Sequence, residues 1–262
     1  MKKNNIIKYI IISILLILII YFITKVNLKE GYENNSVAYV INLDKRHDRW
    51  VKINERFSNS NIKLERVSAV QHIKGHTGCG LSFMKVVKKA KDNNLKTVLI
   101  FEDDNKPLEG FNTRWIIIKE WLDNNLDAWE IFNGSPRFLD WGKYDINNTS
   151  PYIYETKLAY SIQSKEYLFT APQLLATNWI YINNSAYNKV LEWETKYSKE
   201  GKIKIDSYIL HSDNFKILFS IPHLSLQETD YSDTDNLLQE FNKTDENLIK
   251  IFNDVYIREV IK

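Results

Sequence analysis

The chain has 262 residues, 44% hydrophobic and 13% aromatic, enough for one globular domain with a sizeable core. Residues 1–29 carry five lysines and no acid, so the formal charge of +2 leaves the remainder with 30 basic against 33 acidic residues. That slightly acidic body excludes broad binding to a nucleic-acid backbone, and a single cysteine, Cys79, excludes an intramolecular disulfide framework.

From Tyr9 to Ile23 every residue except Ser13 is apolar or aromatic, and Ile6 and Ile7 extend the run past Lys8. Residues 6–24 reach the lower limit of a bilayer span, ~17 residues, with Lys8 snorkelling to the headgroups. The run ends in Tyr21, Phe22, Ile23 and Thr24 without the small residues of a cleavage site. The expectation is an uncleaved anchor over 1–24, a polar connector over 25–36 and a body over 37–262. Lys2, Lys3 and Lys8 precede the run and Lys25 and Lys29 follow it, which orients the chain as a single-pass type II membrane protein with a non-cytosolic body. Glycosylation triplets at Asn34, Asn133, Asn147, Asn148, Asn183 and Asn242 are compatible with that side of the membrane.

In the body, "VAYVINL" predicts a buried first strand ending at Asn42 and Leu43. Asp44 is placed to cap a helix running to about Phe57, and "IKLERVSAV" predicts a second strand. "GHTGCG", residues 75–80, holds three of the eight glycines and suggests a tight turn or a close backbone approach. A helix is expected from Leu81 to Lys91, followed by a third strand at "TVLIF". A helix near 113–124, a strand at "AWEIFNG", a strand and helix in "ATNWIYINNSAYNKVLEW", a late strand at "FKILFSIP" and a closing amphipathic helix over 236–260 complete the pattern. Strands alternating with helices predict an α/β domain with a mostly parallel sheet and covered faces. Ligands bind such sheets beyond the carboxyl ends of the strands.

Two features meet at that edge: "NLDKR" after the first strand and Glu102-Asp103-Asp104 after the third. In a strand continuing through the triplet, Glu102 and Asp104 share one face. Two converging carboxylates suit Mg²⁺, which takes one or two protein carboxylates and fills its shell with waters and phosphates; Mn²⁺ accepts the same oxygens. The alternative is a hydrated acidic turn. Arg46 and Arg49, three apart on one helix face, could pair with phosphate or a nucleotide, or simply with Asp44 and Asp48.

These motifs, in order, resemble glycosyltransferase family 25, the lipooligosaccharide and procollagen galactosyltransferase group. "VINLDKRHDRW" resembles its opening strand, "GHTGCGLSF" its Gly-Cys-x-x-Ser-His segment, and "VLIFEDDN" its Glu-Asp-Asp motif. "WEIFNG", "TNWIYINNSAYNKVL", "IDSYI" and "IPHLSLQETDYSDT" resemble later segments, and the likeness spans roughly residues 37–235. Phe83 stands where the family has histidine, and Gln71 where it has an acidic residue.

The resemblance implies a GT-A-like (Rossmann-type) fold and an inverting hexosyltransferase. Its donor would be UDP-galactose or UDP-glucose, its ion Mn²⁺ or Mg²⁺, and its acceptor a glycan, lipid-linked or protein hydroxyl. It makes Asn42, Arg46, Arg49, Glu102 and Asp103 candidate nucleotide-sugar contacts, with Asp104 and Glu102 as metal ligands. For the base that takes the acceptor's proton, Asp206 is the first choice and Asp233 the second; either residue could instead cap a helix. His223 is a lesser candidate for the metal shell. Trp179 and Tyr181 could stack on a sugar or belong to the core, and Trp115 and Trp121 read as core. The loss of histidine at Phe83 favours a rival reading, a catalytically inactive membrane-anchored protein that binds glycans or nucleotide sugars. Metal-dependent phosphoester hydrolysis would need more dispersed Asp and His ligands.

Overall fold

The computed structural model describes residues 36–137, 157–199, 201, 203–228, 231–232 and 237–238. The apolar run expected to anchor the chain lies outside them, as do Asp233 and most of the expected closing helix. Leu237–Leu238, within the span given to that helix, instead pairs as a strand with Tyr231–Ser232. Among the described residues no helix is long and apolar enough to cross a membrane.

Strand β1 (Ser36–Asn42) is almost wholly buried and leads through a turn into α1 (His47–Phe57). Asp44 does not cap α1: Arg46 occupies the cap position. Asp44 instead accepts a 2.9 Å hydrogen bond from Ser68 Oγ and pairs with Arg66 at 3.0 Å, both on or beside the neighbouring strand β2 (Ile62–Ser68). Helix α2 (Gly75–Asp92) begins six residues before the expected Leu81. The glycine-rich stretch is therefore its first turns, not a tight turn. Glycine is a poor helix former, but packing requires it here. A Cβ on Gly80 would lie 2.1 Å from the Trp193 ring, and one on Gly78 2.5 Å from the Val70 carbonyl.

Strand β3 (Thr97–Glu102) is followed by a turn at Asp103-Asp104 and the short β4 (Asn105–Pro107). Next come α3 (Phe111–Asn124), β5 (Ile131–Asn133), β6 (Lys157–Ser161), β7 (Tyr167–Thr170) and β8 (Trp179–Asn183). Helices α4 (Tyr187–Lys196) and α5 (Ile205–Ile209), then β9 (Ile217–Ile221) and β10 (Ser225–Gln227), complete the body.

The central sheet has eight strands in the order β2-β1-β3-β8-β5-β9-β7-β6. Its ladders β1–β2, β1–β3 and β5–β9 are parallel. Strands β7 and β8 run against the others, which makes the remaining ladders antiparallel. The α/β expectation holds, with a mixed sheet in which six of the eight strands share one direction.

Both faces are covered. One cluster joins Phe83, Val86 and Val87 of α2 to Trp193 and Ile209; the other joins Ile53 and Phe57 of α1 to Trp115, Ile118 and Leu122 of α3. Each large apolar side chain so buried contributes about 1.5–3 kcal/mol. Trp179 and Tyr181 belong to this core: Trp179 lies 5.4 Å from the Trp115 ring and Tyr181 stacks on Trp129 at 5.3 Å. Neither is available to a sugar. Trp121 sits at the rim of the core: partly buried, it packs against the second cluster and on Tyr160, an exposed ring 4.6 Å away. Asn133 and Asn183 are buried and donate to backbone carbonyls, so the folded body does not offer them for glycosylation.

Candidate active site

The register of the β1–β3 ladder sets Ile41 opposite Glu102, so Asn42 and Asp103 leave the sheet side by side. Asn42 Nδ2 donates to Asp103 Oδ2 at 2.6 Å and to the Arg46 carbonyl at 2.9 Å. Arg66 Nε in turn donates to Asn42 Oδ1 at 2.7 Å, which fixes the amide. One helical turn on, Arg49 reaches back and pairs with Asp103 Oδ1 at 3.1 Å. Burial opposes the charge on Arg49, but Asp103 and Asp104 outweigh it and hold its pKa above the ordinary value. Arg46 pairs with the exposed Asp48 through two 3.0 Å contacts. The two arginines expected to act together differ in reach: Arg49 pairs directly with Asp103, while Arg46 pairs with Asp48 and acts on Asp103 by its charge alone as the smallest contribution.

The chain turns immediately after Glu102, yet the outer two acids remain coupled. Burial first, and then the charge of Asp104, pushes the Glu102 carboxyl well above the usual range; Asp206 adds a smaller push. Burial and Asp103 do the same to Asp104. Asp103 is also raised, because burial outweighs the pull of Arg49 and Asn42. A hydrated acidic turn is excluded, since Asp103 and Asp104 are only 8% and 9% exposed.

Asp104 is held from the far end of the chain. Strand β10 pairs antiparallel with β4, setting Gln227 opposite Asn105. Gln227 Nε2 donates to Asp104 Oδ2 at 2.9 Å, and the Glu228 amide donates to the Asp104 carbonyl at 2.8 Å. Glu228 is clamped to α1 by Arg56 at 2.5 Å and Lys52 at 3.2 Å. Glu102 accepts from the Thr177 hydroxyl. Asp104 Oδ1 is buried and has no hydrogen-bond partner among the described residues.

The triplet opens onto a cleft of about 270 Å³, bounded by Arg49 and Lys45, by Gln227, and by Gly75, Gly78 and Ser82 of α2. Ser82 Oγ donates to the Gly78 carbonyl at 2.6 Å and accepts from Val70 N at 2.7 Å, stapling the loop before α2 to the cleft wall. Cys79 also lines the cleft and packs against the core. Phe83, one residue beyond Ser82, is buried in the core, so its position offers no polar group to the cleft. Asp206 follows no strand; it lies in the first turn of α5, where its Oδ1 accepts from Ser207 N at 2.7 Å. Asp206 is not among the residues that line the cleft, and its charge adds only the smallest of the pushes on Glu102. His223 does not join them. It is buried, its Nδ1 hydrogen-bonds the Ser220 carbonyl, and burial lowers its pKa to about 4, so the ring is neutral.

Buried carboxylates need a counter-charge. Asp104 Oδ1 is an acceptor already stripped of water, beside a second carboxylate, which is the donor set of a hard divalent ion. Among the described residues no group of three His, Cys, Asp or Glu could enclose a metal alone. An ion here would take Glu102 and Asp104 and complete its shell with waters or a bound ligand. The residues fit that mode of binding.

Thr177 and Gln227 are the site residues that sequence reasoning missed. Gln227 stood within the quoted "IPHLSLQETDYSDT" segment and Thr177 opened "TNWIYINNSAYNKVL", but nothing local marked their partners as Asp104 and Glu102.

No family model matches the chain and no curated protein matches it, so the likeness to family 25 rests on its motifs. Among solved structures, the chain is similar to a glycosyltransferase involved in glycosylation of the major capsid of PBCV-1, with 11% identity and a TM-score of 0.39 over 82% of this chain and 99% of that one. It is also similar to the nucleoside-diphosphate-sugar pyrophosphorylase from Vibrio cholerae RC9, with 9% identity and a TM-score of 0.31 over 77% and 78% of the two chains. Overlaps this partial leave the functional question to the site itself.

Proposed function

We propose that this chain is a metal-dependent inverting glycosyltransferase that moves a hexose from a UDP-sugar to a hydroxyl of a glycan, lipid-linked or protein acceptor. The observation that carries the reading is the buried, unpartnered Asp104 Oδ1 beside Glu102, at the carboxyl edge of a parallel ladder, in a triplet that lines a cleft. The order of the family 25 motifs supplies the sugar chemistry and favours UDP-galactose or UDP-glucose. In this reading Glu102 and Asp104 hold Mn²⁺ or Mg²⁺, which neutralises charge on the leaving diphosphate when bound. Asp103 takes no part in that shell: Asn42 and Arg49 occupy its two oxygens and make it the brace that aims its neighbours.

The protein's own chemistry is then positional. Arg49, rigid and charged in the cleft wall, presents its positive charge to the nucleotide's phosphates. Arg46, at the start of α1, would exchange Asp48 for the donor. Asp206 takes the proton of the acceptor hydroxyl. The acceptor oxygen forms its bond to the anomeric carbon on the face opposite the departing diphosphate, which leaves with the electron pair of the broken bond. The apolar N-terminal run would anchor the body at a membrane, facing away from the cytosol. A second reading, glycan or nucleotide-sugar binding without catalysis, draws on Phe83, which fills core space where the family's histidine would stand.

A donor screen separates the two. Full-length protein in detergent, given Mn²⁺ and a panel of UDP-, GDP- and CMP-sugars, should release nucleotide from one donor. Binding of a donor with no release under any acceptor would support the second reading.

A further inference from the structure

We propose that the loop joining β7 to β8 is a preorganising strap, and that Thr177 is the residue through which it aims Glu102 at the cation. The inference rests on the metal-site reading above. Three independent features of the loop support it.

The first is its anchorage. Five backbone groups of residues 173–178 are tied to segments far away in sequence. The Leu175 amide and carbonyl both bond to Arg137, at 2.7 and 3.0 Å, the Leu174 amide donates to the Leu210 carbonyl at 2.9 Å, the Ala176 carbonyl accepts from Asn133 Nδ2 at 2.9 Å, and the Asn178 carbonyl accepts from Asn105 Nδ2 at 2.6 Å. The Asn178 side chain adds a 2.9 Å bond to Ser135 Oγ. A loop serving only as a connector has no need of so many buried ties, because a surface path would leave its polar groups to water.

The second is strain. Ala176 has φ +68, in the left-handed region that disfavours a residue with a Cβ. Strain of this kind persists where the surroundings over-determine a conformation, and it concentrates at sites where geometry matters. Here the strained residue immediately precedes Thr177, which is itself buried.

The third is the contact delivered. The Thr177 hydroxyl donates to Glu102 Oε1, while the Asn178 carbonyl accepts from the Glu102 backbone amide at 3.3 Å. The loop therefore holds Glu102 by both its main chain and its carboxylate. Gln227 does the same for Asp104, by the side chain and through the adjacent Glu228 amide. Each carboxylate expected to bind the ion thus has one oxygen taken by a neutral donor from a remote segment, an arrangement that fixes its rotamer without cancelling its charge. Thr177 is a positioning residue. Hydrogen-bonding partners of metal ligands typically govern 10–100-fold in metal affinity.

The test is Mn²⁺ affinity, measured by titration calorimetry on the full chain without nucleotide, for wild type, Thr177→Val, Thr177→Ser and Glu102→Gln. Valine keeps the shape and removes the donor, so affinity should fall by at least about tenfold. Serine restores the hydroxyl and should return affinity to within about threefold of wild type, while Glu102→Gln should lose measurable binding. Thermal unfolding in EDTA supplies the folding control, and the Val and Ser variants should melt within a few degrees of each other. Mn²⁺ binding by wild type and Thr177→Val with equal affinity would overturn the strap and leave the metal site standing. No binding by wild type, or undiminished binding by Glu102→Gln, would overturn the metal reading and the strap with it.

Discussion

Asp104→Asn separates a built cation site from an acidic cluster that merely happens to be buried. The substitution preserves volume, leaves an oxygen to accept from Gln227 Nε2, and removes one member of a group whose charges raise one another's carboxyl pKa. Each pKa unit contributed by a like-charged neighbour corresponds to about 1.4 kcal/mol of repulsion between charged forms. Against that relief, the new amide NH₂ occupies the site of a buried, unpartnered oxygen, and an unsatisfied donor costs about 1–3 kcal/mol. The metal-free variant should therefore be as stable as wild type or up to ~2 kcal/mol more stable. For a body of this size each kcal/mol moves Tm by about 2–4 °C. Wild type in Mn²⁺ at a hundredfold excess over Kd should gain about 2.7 kcal/mol, and the variant should gain nothing. Turnover should fall by about 10²–10³, the scale of losing one preorganised electrostatic contact. Scanning calorimetry with EDTA and with Mn²⁺, alongside a nucleotide-release assay, reads all three quantities. An unchanged Mn²⁺ shift in Asp104→Asn and again in Glu102→Gln would refute the reasoning.

Five further outcomes follow from the same geometry. In EDTA, stability should decline as pH rises from the ordinary carboxylate range toward neutrality. Folded Glu102 and Asp104 keep protons there that the unfolded chain has released, so the unfolded state binds fewer protons and the slope is negative; Tm against pH checks this, and a rising curve that Asp104→Asn does not alter would contradict it. Mn²⁺ must displace those protons, so its affinity should instead rise over the same interval, with proton release visible as buffer-dependent heat. Arg49→Ala strands Asp103 in the interior and should cost about 3–5 kcal/mol in denaturant unfolding. Arg46→Ala releases the exposed Asp48, a pair worth at most ~1 kcal/mol, and should weaken UDP-sugar binding by about 1.5–3 kcal/mol; unchanged donor affinity would confine Arg46 to its helix. Ala176→Gly removes a Cβ from the left-handed region and should stabilise the body by up to ~1 kcal/mol, which a urea midpoint will show.

The part of the fold that local pattern controls was legible in advance. β1, β3 and β8 are short β-branched and aromatic runs bounded by polar residues, and burial on both sheet faces leaves little freedom in where they sit. Legibility stopped where distant packing overrode local preference. Gly75, Gly78 and Gly80 oppose a helix by propensity, but the 70–72 loop and Trp193 leave no room for side chains at Gly78 and Gly80, so α2 begins among them. Asp44 has the chemistry of a cap, and Ser68 and Arg66 from the neighbouring strand claim it first.

The site divides in the same way. That Glu102-Asp103-Asp104 and the "NLDKR" turn share an edge followed from strand order alone, and the ladder register bears it out. How the three acids divide their work did not follow. Adjacent residues suggested a continuing strand, whereas the turn after Glu102 sends Asp103 toward Asn42 and Arg49 while Asp104 meets Gln227. Those partners lie as far as 123 residues away, a separation at which one sequence carries no pairing information.

The central claim is that Glu102 and Asp104 hold a cation together with a diphosphate, and calorimetric titration of UDP into the full-length protein tests it most directly. With Mn²⁺ present, UDP should bind with an affinity that collapses in EDTA and in Asp104→Asn. UDP binding that is the same with Mn²⁺, with EDTA and in the variant would contradict the claim.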